Sequence, residues 1–350
     1  IRIESAPMNG SLNYQLGRRD IDTAANAAQA LATGDVNGDG RPDIIAVLPG
    51  SGDAVWYQNS GGASPTFTRR HIASVLNQPR DVAVGDVDKD GDLDVFVAEH
   101  GANKILCFRS SGGSAPTFAP ITVFSGAGGL SSLTTADIDG DTDLDVISTH
   151  PLGHRVIVHR NDGAATPGFI GSVLSTTETG AADAVVFDVD LDGDLDIVSA
   201  AATSGDIAWF EQNGASFIRR AIATGLPQPS SLARADINGD SRSDLVIATS
   251  GDNSVNWYQN IPPATSGAAL AFMPNLVSSS LAGVTHVLAT DFTGDNVPDI
   301  IACSPVDGRI LGFQTFRGGV VGFATHQLDK NAAGAAAVAS TDFTANGRPD

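Results

Sequence analysis

A nine-residue acidic segment recurs seven times along this 350-residue chain, opening each time on an aspartate: Asp35, Asp86, Asp137, Asp188, Asp236, Asp291 and Asp342. The spacings between copies are 51, 51, 51, 48, 55 and 51 residues. A period of that length, sustained over the whole chain, restricts the fold to stacks of one supersecondary unit. A short alternating run such as Leu31-Ala32-Thr33 precedes each segment, and an apolar run such as Asp43-Ile44-Ile45-Ala46-Val47 follows it. That grammar means strand, acidic turn, strand. A third run (Val55-Trp56-Tyr57-Gln58-Asn59, Ile207-Ala208-Trp209-Phe210-Glu211) and a fourth (Phe67-Thr68-Arg69-Arg70-His71-Ile72, Phe217-Ile218-Arg219-Arg220-Ala221-Ile222) complete a four-stranded antiparallel meander.

Insertions test this reading, since they belong in surface loops. From the end of the third run to the start of the fourth, Asn59 to Phe67 and Asn161 to Phe169 each span eight positions, Asn213 to Phe217 four, and Asn260 to Phe272 twelve. Variation is confined to one loop of the unit, so Gly61-Gly62-Ala63-Ser64-Pro65 and Pro262-Pro263-Ala264-Thr265-Ser266-Gly267 read as loop tips rather than linkers. Residues 1–350 are expected to form a single domain. Four-stranded units of about 50 residues are the blades of a β-propeller, and seven repeats predict seven blades; solenoid repeats are shorter and do not carry four strands each.

The seventh blade is expected to be shared between the chain ends. Leu16-Gly17-Arg18-Arg19-Asp20-Ile21 aligns with the fourth run Phe67–Ile72, which places Ile1 to Ser5 as a third strand, while Ala335 to Asp342 supplies a first strand and the start of its acidic loop. A second strand would follow Asp350, so the expectation is that the biological chain continues past that residue or that another chain donates the strand.

Carboxylates at positions 1, 3, 5 and 9 of the loop, with a backbone carbonyl at position 7, offer a hard cation the all-oxygen shell that calcium prefers. The side-chain ligands are then Asp86, Asp88, Asp90 and Asp94 with the Asp92 carbonyl; Asp137, Asp139, Asp141 and Asp145 with Asp143; and Asp188, Asp190, Asp192 and Asp196 with Asp194. Three further loops carry three aspartates: Asp35, Asn37, Asp39, Asp43 with Arg41; Asp236, Asn238, Asp240, Asp244 with Arg242; and Asp291, Thr293, Asp295, Asp299 with Val297. The last has Asp342, Thr344, Asn346 and Asp350 with Arg348, and is expected to bind most weakly of up to seven Ca2+ ions. Loops 86–94 and 188–196 are expected to bind most tightly, having four ligand aspartates and glycine at position 6, where Thr142 stands in the third loop. An EF-hand needs glutamate at position 12, but Ala46, Val97, Ser148 and Ser199 stand there. Asp, Asn and Gly are also ordinary turn formers; turn chemistry alone does not ask for carboxylates at alternate positions seven times over.

Charge points the same way. Acidic residues outnumber basic ones 40 to 20, for a formal charge of −20, and 23 of the 40 acids stand at these ligand positions. Such a balance argues against nucleic acid and anionic membranes as partners, and no apolar run approaches the roughly 20 residues of a spanning helix, so no membrane insertion is expected. Cys107 and Cys303 read as small core residues.

The segments Asp-Val-Asn-Gly-Asp-Gly-Arg-Pro-Asp at 35–43 and Asp-Val-Asp-Lys-Asp-Gly-Asp-Leu-Asp at 86–94, with the trailing Trp-Tyr-Gln-Asn strands, resemble the FG-GAP/VCBS repeat family, to which integrin α-subunit head domains are related. The resemblance covers essentially the whole chain. It implies a seven-bladed propeller with calcium in the hairpin between first and second strands, on an extracellular or cell-surface protein.

Away from the acidic loops, Glu99, His100 and Asn103 lie between the second and third strands of one repeat and His150 and His154 between those of the next, so these five residues are the candidates for a ligand face opposite the hairpins. Solvated loop residues are the plain alternative. Trp56, Trp209 and Trp257 occupy equivalent positions suited to blade packing or, if exposed, to stacking on sugars. No nucleophile elbow, phosphate loop or Cys-x-x-Cys is present, so an enzyme is not expected. Asn9-Gly10-Ser11 is the only glycosylation sequon. The resulting expectation is a calcium-stabilised extracellular recognition or adhesion module for a protein or glycan. The alternatives are a self-associating building block of a surface filament or polymer, a dedicated lectin, and a polysaccharide-cleaving enzyme.

Overall fold

The computed structural model describes residues 1–5, 17–25, 28–262 and 270–350. The sequon at 9–11, Leu16 of the predicted fourth strand and the 263–267 part of the long loop tip lie outside the described residues. The fold is an all-β propeller built from six four-stranded antiparallel blades, each a meander in sequence order. Blade 1 comprises strands Ala30–Gly34, Asp43–Leu48, Asp53–Asn59 and Phe67–Ala73; blade 2, Pro79–Gly85, Asp94–Glu99, Lys104–Ser110 and Phe118–Ser125; blade 3, Leu133–Ala136, Asp145–His150, Arg155–Asn161 and Phe169–Ser175. Blade 4 comprises Ala181–Phe187, Asp196–Ala201, Asp206–Asn213 and Ser216–Ala223; blade 5, Pro229–Ala235, Asp244–Thr249, Ser254–Ile261 and Ala271–Ser278; blade 6, His286–Thr290, Asp299–Ser304, Arg309–Phe316 and Gly322–Asp329. Among the described residues no helix is long and apolar enough to cross a membrane.

Two compact units are distinguishable: one of residues 1–5, 17–181 and 339–350, the other, among the described residues, of 182–338. Within each, burial follows from strand position. All six residues of every second strand are buried, as in Asp43–Leu48 and Asp196–Ala201. In blades 2 and 5 the neighbouring blades of the same unit cover both faces of that strand, which is why these strands read as unbroken apolar runs. Fourth strands are the exposed edges. The cores lie between successive blades. In the first unit Trp56 of blade 1 packs with Val95, Val97 and Phe108 of blade 2, and Phe96 and Cys107 of blade 2 with Leu133 and Val146 of blade 3. In the second, Trp209 of blade 4 packs with Leu232 and Tyr258 of blade 5, and Trp257 of blade 5 with Ile300 and Phe313 of blade 6.

The expectation of seven blades is corrected to six. The seventh repeat contributes a two-stranded ladder, Arg2–Ser5 against Gly17–Asp20 in the register Arg2↔Asp20, which is the third-and-fourth-strand pairing predicted for these N-terminal segments. Its first strand does not form: no strand follows Asp329. A first strand acquires its ladder from the second strand beyond its acidic loop, and here only one rung exists, from the Asp350 N–H to the Thr341 carbonyl (2.8 Å). The loop itself is nevertheless docked. Phe343 is buried among Ile44, Ala46 and Tyr57 of blade 1, with its ring edge-on to Phe67 at 5.6 Å.

That docking uses a device repeated elsewhere. The last residue of a third strand, when it is asparagine, donates Nδ2 to the carbonyl at position 2 of the preceding loop: Asn59 to Phe343 (3.1 Å), Asn161 to Val87 (3.0 Å) and Asn260 to Val189 (2.8 Å). Position 2 is itself a buried apolar anchor in all seven loops: Val36, Val87, Ile138, Val189, Ile237, Phe292 and Phe343. Replacing Asn161 by alanine strands the buried Val87 carbonyl, and the expected loss is about 1–3 kcal/mol of unfolding free energy. Urea denaturation measures it; a midpoint equal to that of the unsubstituted protein would deny the staple any weight.

Candidate metal centre

The acidic loops are hairpin turns whose backbone is organised by their own aspartates. Positions 4 and 6 lie in the left-handed region in all seven copies, for example Lys89 (φ 60°) and Gly91 (φ 88°), or Leu191 (φ 65°) and Gly193 (φ 99°). At position 6 Thr142, Ser241 and Asn296 take the same conformation at φ 74°, 69° and 63°, which costs more for a side chain with a Cβ than for glycine. The carboxylate at position 1 holds this turn. Asp86 Oδ1 accepts the Asp90 N–H (3.2 Å) and Oδ2 the Gly91 N–H (2.9 Å), and Asp188, Asp236, Asp291 and Asp342 are bonded alike. The position 5 side chain then accepts the position 7 N–H, as from Asp92 to Asp90 (2.9 Å) and from Arg348 to Asn346 (2.8 Å).

The aspartate at position 9 is the most buried group of the loop. Asp94 accepts the Val87 N–H on Oδ2 (2.8 Å) and, on Oδ1, the N–H of Ser110, 16 residues on at the end of the third strand (2.7 Å). Asp43, Asp145, Asp196 and Asp244 repeat both bonds, and Asp299 bonds Thr293 and Thr315. Burial pushes these carboxyls up, Asp43 to about 7 and Asp94, Asp145, Asp196, Asp244 and Asp299 to about 6. The backbone donors oppose that rise, and the other aspartates of each loop add to it.

Position 3 behaves differently from the other three. In loops 35–43 and 236–244 it is asparagine, which satisfies itself within the turn: Asn37 donates Nδ2 to Asp39 (3.1 Å) and accepts the Asp39 N–H (3.2 Å), and Asn238 does the same with Asp240. Where position 3 is aspartate, that donor is missing. Asp88 Oδ1 and Asp190 Oδ1 are buried without a hydrogen-bond partner, as is Asp137 Oδ1 at position 1 of the third loop; only 4% of the Asp88 side chain is exposed. These are also the loops whose oxygens converge: one oxygen each from Asp86, Asp88 and Asp90, from Asp137, Asp139 and Asp145, and from Asp188, Asp190 and Asp192 lies within 4.8 Å of the others. Buried, unpaired and mutually repelling oxygens at that separation fit a hard cation. In the remaining four loops, among the described residues, no such cluster of three acidic side chains forms.

The five ligand-face candidates lie at the opposite ends of the blades, where three of them organise loops. Glu99 accepts the Asn77 N–H (2.8 Å), His100 Nδ1 donates to the Leu130 carbonyl (2.7 Å), and Asn103 accepts the Gly129 N–H (2.7 Å). His154 is exposed at φ 55°. His150 is buried: Ser148 Oγ bridges His150 Nε2 (2.9 Å) and His159 Nε2 (2.8 Å), under the Phe124 ring at 5.2 and 5.1 Å. The hydroxyl donates to one ring and accepts from the other, so at least the accepting ring is neutral, and burial favours the neutral form of both. The tryptophans are core residues, Trp56 and Trp209 each capped by an arginine, Arg70 at 5.7 Å and Arg220 at 5.5 Å. Missed in the sequence were position 2, position 4 and the Asn59, Asn161 and Asn260 staples. The signal was available as an apolar residue recurring inside each acidic segment and an asparagine recurring 16 residues after position 9.

The FG-GAP-like repeat matches residues 35–97, 86–148, 188–247 and 236–302, more than half of the chain. None of the curated proteins compared with the chain matches it. Among solved structures, an Agrocybe aegerita lectin specific for non-reducing terminal N-acetylglucosamine is 19% identical with a TM-score of 0.61, over 92% of this chain and 87% of that one. The periplasmic gluconolactonase PpgL of Pseudomonas aeruginosa is 16% identical with a TM-score of 0.59, over 94% and 96%. A Lactobacillus plantarum protein is 13% identical with a TM-score of 0.63, over 95% and 97%. At these identities the likeness is one of fold.

The buried histidine pair yields a pH dependence. Burial holds His150 down at about 4, with Arg155 adding to the effect, and His159 down at about 3, with His150 adding to it. The unfolded chain takes up protons below about 6.5 that the native state refuses, so the stability this pair contributes at pH 7 is lost as pH falls, while the raised position 9 carboxyls, which gain protons in the native state over the same range, act in the opposite direction. The expected loss between pH 7 and pH 5 is about 2 kcal/mol per histidine. Denaturant titrations of the unsubstituted protein and of His159→Leu at the two pH values isolate it: the stability difference between the two proteins is expected to shift by about 2 kcal/mol from pH 7 to pH 5.

Proposed function

We propose, for a chain that belongs to the FG-GAP-like repeat family, a calcium-stabilised extracellular recognition module that engages a glycan or protein through the blade ends opposite the acidic loops. The observation that carries the cation half is the set of buried aspartate oxygens, Asp88 Oδ1, Asp137 Oδ1 and Asp190 Oδ1, left without partners inside clusters of converging carboxylates. The residues that would hold the ion are the aspartates of 86–94, 137–145 and 188–196. Bound there, it would supply the positive charge these loops lack. An extracellular setting suits the reading because calcium is millimolar there, the range in which extracellular modules bind it.

The recognition half rests on the other ends of the blades. Apolar side chains stand in solvent there, Val75 at 90% exposure, Leu152 at 75% and Val306 at 74%. Val75 is also a β-branched residue at φ 66°, and Gln78, Asn103, His154, Gln228 and Asn253 share the left-handed region at the same ends. Non-glycine residues held in that region concentrate where loops are shaped for binding. Two of the similar folds are lectins, one recognising terminal N-acetylglucosamine and one in complex with an α-methyl fucoside, which favours a glycan as the first ligand class to test. Lactonases and a lyase share the fold as well, and fold alone does not decide between them.

Thermal melting in 2 mM calcium against excess chelator tests the first half, with an expected gain of about 1.4 kcal/mol per site at tenfold its Kd. A glycan array probed in calcium tests the second, with Leu152→Asp and Val75→Asp expected to abolish the signal without lowering the melting temperature. Identical melting curves with and without chelator would remove calcium from the reading, and an array blank for the unsubstituted protein would remove the glycan.

A further inference from the structure

The third strand of each blade carries one residue 15 positions after the position 9 aspartate whose charge differs from blade to blade, and in blades 2 and 3 its side chain reaches loop position 3. In blade 2 it is Arg109, whose guanidinium pairs with Asp88 Oδ2. In blade 3 it is Arg160, with Nε 3.0 Å from Asp139 Oδ2, and that loop meets a second cation, Lys89, whose Nζ is 2.7 Å from Asp143 and 2.8 Å from the Thr142 hydroxyl. In blade 4 it is Glu211. Its carboxylate pairs with Arg220 from the fourth strand, and among the described residues no cation is paired with Asp190 of that loop. Blades 1, 5 and 6 have glutamine there, Gln58, Gln259 and Gln314.

We propose that this third-strand residue sets the order in which the acidic loops take up calcium: Arg109 and Arg160 act as built-in counter-cations that weaken 86–94 and 137–145, whereas 188–196, with Glu211 in that place and no arginine paired with Asp190, fills first. The inference rests on the calcium reading above and deepens it. The three loops carry the same five aspartates, at positions 1, 3, 5, 7 and 9, so ligand count cannot rank them; the neighbouring charge can. An arginine already paired with an oxygen of position 3 repels an incoming divalent ion and must be displaced or endured. A glutamate at the same place pairs with Arg220 and presents no positive charge to position 3. One charge at a few ångströms in a half-exposed site is worth about tenfold in affinity. The consequence revises the ranking that composition gives, in which 86–94 and 188–196 are equals.

Calcium titration calorimetry on the full chain counts the sites and their affinities, and terbium identifies the first one. Trp209 lies two residues before Glu211 on the same strand, while the third strands of blades 2 and 3 contain no tryptophan. The first equivalent of terbium is therefore expected to give tryptophan-sensitised emission that Trp209→Phe removes. Glu211→Gln is expected to weaken that site about tenfold, and Arg109→Gln to strengthen one weaker calcium site about tenfold. Glu211→Asp and Arg109→Lys keep the charges and are expected to stay near the unsubstituted values, which separates electrostatics from packing; circular dichroism in chelator verifies that each variant is folded. If the unsubstituted protein binds calcium but Glu211→Gln and Arg109→Gln leave its affinities unchanged, or if the charge-conserving variants change them equally, the third-strand proposal falls and the calcium reading stands. If the unsubstituted protein takes up neither calcium nor terbium, the calcium reading falls and this proposal with it.

Discussion

Each blade depends on one buried carboxylate. The aspartate closing the acidic loop has essentially no exposure at Asp43, Asp94, Asp145, Asp196, Asp244 and Asp299, and its two oxygens tie together points far apart in sequence: the top of the loop and the end of the third strand. The bonds fix where the second strand starts, so the six apolar residues that follow enter the sheet in register. They also hold the position 2 residue inward, where it packs against a neighbouring blade and presents the carbonyl that the next blade's asparagine grips. An ionised group so deep would be strongly disfavoured without donors. Here the donors are backbone N–H groups that would otherwise be unpaired at a hairpin mouth, so one residue satisfies two structural demands at once.

Much of this was legible in the sequence. Period, strand order and the location of length variation could be read from Leu31-Ala32-Thr33, Asp43–Val47 and the Asn59-to-Phe67 interval, because burial on both faces writes continuous apolar runs and exposure writes loops of variable length. The pairing of Arg2–Ser5 with Gly17–Asp20 also followed from alignment to the repeat. The blade count did not. A repeat in the sequence is a unit of pattern, but a blade is a unit of hydrogen bonding, and Ala335–Thr341 has a pattern without a neighbouring second strand to pair with. The left-handed turn at position 4 was signalled only in part, by Gly38, Gly140, Gly239 and Gly294, since Lys89, Leu191 and Ala345 stand there in the other three loops. His150 looked like a loop residue because its neighbours Pro151 and Gly153 are turn formers; its burial comes from Phe124 and Ser148, contacts that no local pattern encodes.

The two ends of a blade are built on different principles. At the acidic end, side-chain carboxylates replace absent backbone partners, and the loops are nearly alike. At the other end the chain turns by backbone bonds between neighbouring connections, such as Leu76 to Gly52 and Leu226 to Gly205 (2.8 Å each). Side chains there are free to differ: Leu152 and Val306 stand outward at the same loop position of blades 3 and 6, where blades 1, 2 and 5 have Gly50, Gly101 and Gly251 and blade 4 has Thr203. A repeat that holds one end constant and lets the other vary separates scaffold from recognition without any change of fold.

Position 3 shows that not every aspartate in the acidic loops serves the scaffold. This chain contains a version of the loop that closes on itself, with Asn37 or Asn238 donating to the position 5 carboxylate and accepting its N–H. Asparagine and aspartate are nearly isosteric, so the same geometry was open to positions 88, 139 and 190. Aspartate there forfeits a donor, adds a repelling charge, and at Asp88 and Asp190 buries an oxygen with no partner, a loss of about 1–3 kcal/mol for a neutral group and more for a charged one. Stability of the metal-free fold would favour asparagine in all three. The arginines at 109 and 160 recover part of the loss in two blades; in the third, Glu211 stands there and is paired with Arg220. Aspartate at these positions weakens the empty loop, and the cation proposed above is what would offset that cost.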